Sequence, residues 1–181
     1  MVTTLLFVGG GFVIVVILTY AFLRKGGAPL VYRDQALANL PRFVRSLHQQ
    51  SADGSVLVVA HQESNRFVQF RFRRPTSDQA WVEFGVPDAP WSRDVFDGVV
   101  VSLQKAGFKP TVVSTGNDGV QRFAIVQLTL PPEEQPQEAM RAAMVSLEAM
   151  QVPKEAMFSI TTEGALDRAA IAKWRGSVQT E

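Results

Sequence analysis

Residues 65–86 read NRFVQFRFRRPTSDQAWVEFGV, and the period of two in this stretch decides the fold. Val68, Phe70 and Phe72 alternate with Gln69, Arg71 and Arg73; beyond a turn through Pro75, Thr76, Ser77 and Asp78, Ala80, Val82, Phe84 and Val86 alternate with Trp81 and Glu83. Side chains of a strand alternate between its two faces, so each run has one face for a core and one turned outward. Two such runs across a short polar turn predict an antiparallel hairpin whose outward Arg71 or Arg73 faces Glu83.

Upstream, SVLVVAH reads as a buried strand from Ser55 to about His61, set off by Asp53-Gly54. A helix precedes it, with Asn39 as cap, Pro41 in the first turn and Phe43, Val44 and Leu47 as its apolar stripe through Gln50; residues 35 to 38 add an earlier turn. Downstream, Pro87 and Pro90 end the hairpin's second strand. Ser92 or Asp94 caps a second helix with the stripe Phe96, Val99, Val100 and Leu103, closed by Gly107. Strands around Phe108 to Ser114 and Val120 to Leu130 flank the hairpin turn TGNDG, Pro131 and Pro132 stop the sheet, and Pro136 opens a third helix in which Met140, Ala143, Met144 and Leu147 recur at helical spacing. Core packing is the better reading of Met140, Met144, Met150 and Met157 than an adaptable binding surface. A short strand near Met157 to Thr161 and a helix from about Glu163 to Arg175 complete the chain.

The chain opens MVTTLLFVGGGFVIVVILTYAFLRKGG, with 19 uncharged residues from Leu5 to Leu23. As a helix this run reaches roughly 28 Å, the thickness of a bilayer's hydrocarbon core. No Lys or Arg precedes it and Arg24 and Lys25 follow, which favours a permanent anchor over a cleaved signal and sets the N-terminus outside and the following domain on the cytoplasmic side of the inner membrane. Tyr20, Phe22 and Tyr32 fit an aromatic belt at the membrane interface beside Arg24 and Lys25, and Gly9, Gly10 and Gly11 offer a place for close helix contact. The expected domains are a transmembrane anchor at 1–25, a juxtamembrane linker at 26–38 and a cytoplasmic α/β domain at 39–181.

The expected fold class is therefore α+β: a single N-terminal transmembrane helix, then a two-layer α/β domain of order αβββαββα on an antiparallel sheet, with an extra C-terminal helix. From about residue 39 to 150 this order resembles the secretion-chaperone-like α/β fold. The resemblance implies helices on one face of the sheet and a non-enzymatic, often dimeric, polypeptide-binding module, and hence a homodimer among the expected partners.

Composition narrows the function. There are no cysteines, which removes disulfides, thiolate metal sites and thiol catalysis. Taking Arg24 and Lys25 from the 18 basic residues leaves 16 against 17 acidic ones, poor material for nucleic-acid binding. His48 and His61 lie in no HExxH or HxH spacing, no phosphate-loop or GxSxG motif occurs, and Asp94 with Asp97 and Glu133 with Glu134 sit at helix starts, where the dipole accounts for them. No cofactor and no metal are expected. The residues that stand out are outward aromatics and their basic neighbours: Trp81, Trp91 and Trp174, with Arg71 and Arg73. These readings converge on a non-catalytic, membrane-anchored accessory subunit that binds and stabilises a larger membrane complex of respiratory or photosynthetic type, its partners being integral membrane subunits and the lipid bilayer. The alternatives are a membrane-tethered assembly factor and an enzyme with a site near His61 and Glu63.

Overall fold

A computed structural model describes residues 29–76, 78–117 and 120–163. In chain order they form β1 (Leu30–Ala36), a 3-10 turn (Leu37–Asn39), α1 (Leu40–Gln50), β2 (Val56–His61), β3 (Phe67–Thr76), β4 (Gln79–Asp88), α2 (Arg93–Lys105), β5 (Thr111–Asn117), β6 (Val120–Gln127), α3 (Gln135–Ala149) and β7 (Met157–Glu163). The strands make one antiparallel sheet in the order β1-β7-β2-β3-β4-β6-β5, and the three helices pack on one face of it.

The hairpin is the centre of this sheet. Phe70 stands opposite Phe84, with ring centroids 5.3 Å apart, and Phe72 stands opposite Val82. These residues face Leu40, Phe43, Val44 and Leu47 of α1, Val99 and Leu103 of α2 and Leu147 of α3 in a single core. Burying a side chain of this size contributes about 1.5–3 kcal/mol, so the hairpin and the helical layer stabilise each other. α3 lies between α1 and α2, and its inward arc is Ala139, Ala142, Ala143 and Ser146. Small side chains there let three helices share one sheet face at short spacing. That arc displaces Met144, which is exposed, as is Met157; only Met150 of the expected core methionines is fully buried.

The expected fold class is overturned in three respects. Among the described residues no helix is long and apolar enough to cross a membrane, and the architecture is a seven-stranded antiparallel sheet with three helices. The stretch expected as linker contains β1, which pairs with β7, and Tyr32 packs edge-on against Phe43 at 5.1 Å, inside the domain. Finally, β7 runs to Glu163 and inserts between β1 and β2, taking the first residue of the helix expected from Glu163 to Arg175. The anchor expected at 1–25, with Gly9, Gly10, Gly11, Tyr20, Arg24 and Lys25, lies outside the described residues, as do the remainder of the C-terminal helix and Trp174.

Pro87 does not stop β4. The Leu128 amide donates to the Val82 carbonyl at 2.9 Å, so even-numbered positions of β4 bond towards β6. Odd-numbered Pro87 turns its missing N–H towards β3, whose pairing with β4 ends at Gln69 and Gly85. The helix ends follow tertiary demands too. Asn39 and Ser92 occupy N-cap positions without capping: the Asn39 amide donates to Gln35 Oε1 at 3.2 Å, and the Ser92 hydroxyl donates to the Pro87 carbonyl at 2.6 Å. Gly107, at φ 89°, closes α2 in the expected way, with the Phe108 amide bonded to the Leu103 carbonyl.

Candidate partner-binding surface

The helices leave the second face of the sheet uncovered among the described residues. Register places Val31, Thr161, Val58, Gln69, Gly85, Ile125 and Thr111 in one row across all seven strands. Beside it runs a second row, Glu163, Val56, Arg71, Glu83 and Gln127. Pro87, Phe123 and Val113 are also in register on this face. A solvated sheet face is ordinarily polar; on this one Val56, Val58, Ile125, Phe123 and Val113 set apolar side chains around the polar Gln69, Arg71 and Glu83.

A depression of about 260 Å³ lies between β3 and β5, lined by Gln69, Arg71, Glu83, Phe123 and Ile125 among others. Its floor is Gly85. A Cβ there would sit 3.3 Å from Gln69 Cγ and 3.7 Å from Phe123 Cδ1, so the missing side chain is what gives the Gln69 side chain room to lie across β4.

Sequence reasoning assigned Arg71, Arg73, Trp81 and Trp91 to a partner surface, and the fold brings the first three together on this face. Arg71 stands opposite Glu83 and is exposed; Arg73 stands opposite Trp81. Arg73 Nε lies 3.7 Å from Glu83 Oε1, and the Trp81 indole N–H donates to the same oxygen at 3.4 Å. Trp91 has a different setting: it is half-buried with its ring 5.9 Å from that of Phe67, and Phe67 is only 5% exposed. Trp91 thus covers Phe67. Val56, Val58, Phe123 and Ile125 were not singled out from sequence. Their signal was present all the same, because VLVV and FAIV are unbroken apolar runs where a half-solvated strand would alternate.

One end of the second row is electrostatically unusual. Desolvation pushes the Glu163 carboxyl up to about 7, and its Oε1 is buried without a hydrogen-bond partner. On the helix side of the sheet, burial and then the neighbouring Arg74 charge hold His48 below its usual value of 6.5. At the other end of β4, Asp88 is almost wholly buried and bonds Arg122 Nε at 2.7 Å, with Arg93 Nε 3.5 Å away; this cluster ties β4, α2 and β6 together.

The two histidines lie on different elements, His48 on α1 and His61 at the end of β2. His61 Nδ1 lies 2.8 Å from Ser64 Oγ and its ring tilts against Phe158, while Glu63 is exposed. Among the described residues no three His, Cys, Asp or Glu side chains are grouped to hold a metal ion. No family model, no curated protein and no solved structure matches the chain.

Proposed function

We propose that this domain is a non-catalytic binding module, an accessory subunit that stabilises a larger assembly by laying the open sheet face against a partner polypeptide. One observation carries the reading: on the face that no helix covers among the described residues, a register row of mostly apolar or small residues, interrupted by Gln69, crosses all seven strands. The partner surface that fits is apolar where it meets Val58, Ile125 and Phe123, and it brings a carboxylate to Arg71 at the margin. Burial at the centre would supply affinity, and the charged margin would fix register. The uncharged run from Leu5 to Leu23, followed by Arg24 and Lys25, supports placing that assembly at a membrane, with the domain on its cytoplasmic side.

The test is capture of the full chain from its native membranes in mild detergent. A subunit brings a defined polypeptide in one-to-one amount, and Arg71→Ala together with Trp81→Ala releases it. Recovery of the chain alone, or retention unaffected by those substitutions, would overturn the proposal.

A further inference from the structure

The sheet has two edges, and they are built differently. β1 carries Arg33 and Asp34 and breaks register between Tyr32 and Gln35, with Asp34 at φ 55°. Charge and a bulge are the devices that keep an edge from pairing with another strand. β5 has neither between Thr111 and Ser114: the segment TVVS is uncharged and regular, and Val112 and Val113 are 43% and 37% exposed. Among the described residues nothing pairs with its outer side.

The direction of its backbone groups follows from β4 and β6. Val82 bonds Leu128, so even positions of β6 from Arg122 to Leu128 bond towards β4 and odd ones towards β5. Thr111 opposite Ile125 and Val113 opposite Phe123 are then the hydrogen-bonded pairs with β6. The N–H and C=O groups of Val112 and Ser114 point outward.

We infer that β5 is the edge through which two copies of this chain pair, joining their sheets antiparallel across a two-fold axis at Val113. A strand in antiparallel contact with its own copy is self-complementary, the hallmark of a two-fold interface. With the axis at Val113, Val112 meets Ser114 of the second copy and Ser114 meets its Val112. All outward groups of both residues are then bonded, and the two Val113 side chains touch. Shifting the axis to Val112 would set Ser114 against Pro110, which has no N–H, and would orphan the Ser114 carbonyl. The break in regular pairing after Ser114 keeps the contact short. So few bonds give a weak dimer, with a dissociation constant on the order of 10–100 μM. The helical layers of both copies lie on one side, so the open faces become continuous.

The chain has no cysteine, so a single introduced thiol reports the register cleanly. Sedimentation of the full chain in mild detergent should show a concentration-dependent dimer. Val113→Lys should weaken it about tenfold or more by setting like charges on the axis, with an unchanged circular dichroism spectrum. Val113→Cys should form a disulfide-linked dimer about tenfold faster than Val31→Cys, a more exposed site on the other edge (52% against 37%), and faster than Val112→Cys. A chain that stays monomeric to about 1 mM, a Val113→Lys variant that dimerises like the original, or faster cross-linking at Val112 would each overturn the assignment.

Discussion

Arg73 and Trp81 stand opposite one another across β3 and β4, and both reach one carboxylate oxygen, Glu83 Oε1, at 3.7 and 3.4 Å. The arrangement holds a large aromatic and a cation at fixed positions on the open face. Contacts of this kind at a surface contribute about 1 kcal/mol or less. Glu83→Gln should therefore lower stability in urea unfolding by no more than about 1 kcal/mol, and Trp81→Ala should leave a folded domain. If the face binds a partner, Trp81→Ala should still reduce partner recovery severalfold; full recovery would remove Trp81 from the interface.

Trp91 answers to a different test. Its ring lies over Phe67, and its indole N–H has no hydrogen-bond partner. Trp91→Ala should cost about 2 kcal/mol through lost burial of both rings, whereas Trp91→Phe should retain most of that stability. Denaturant midpoints at unchanged slope would measure both. Equal effects of the two substitutions would contradict a packing role.

Gln151 follows α3 with φ 60°, and the amides of Gln151 and Val152 bond back to the Glu148 and Leu147 carbonyls. That left-handed position suits glycine and strains a residue with a Cβ. Gln151→Gly should raise stability by about 1 kcal/mol and Tm by a few degrees. A fall in Tm would mean that the glutamine side chain supplies more than the backbone strain costs.

Stability should depend on pH through two groups of opposite sign. Glu163 binds its proton more tightly in the folded state, so its contribution is complete below the ordinary 4.5 and lost as pH rises through about 7. His48, depressed below 6.5, contributes fully above that value and less as pH falls beneath it. Glu163→Gln isolates the first term. Its Tm relative to the parent should rise steadily between pH 4.5 and about 8; a difference independent of pH would show that Glu163 titrates normally.

The hairpin was legible because its alternation is nearly perfect over Val68 to Phe72 and Ala80 to Val86, and register then had to put Arg71 and Arg73 near Glu83. β1 was not. In LVYRDQA only Leu30 and Tyr32 mark an inner face, and the remaining residues are ordinary linker material; the segment is a strand because β7 offers it an edge. Pro87 read as a stop, since nothing local says that its ring lies where β3 has already stopped pairing. Met144 read as core because helical spacing gives the period of a buried arc but not its phase, and the phase was set by α1 and α2 on either side of α3.

The sequence by itself determined the elements with strong internal period: three helices, the central hairpin, the TGNDG hairpin and the outward placement of Arg71, Arg73 and Trp81. Local side-chain patterning suffices there because each element's buried face is written within its own dozen residues. Tertiary structure alone decided the sheet order, the insertion of β7 between β1 and β2, and the sheet face and β5 edge that no other element covers among the described residues. Those depend on which backbone groups meet across long stretches of chain, and no short window of sequence carries that information.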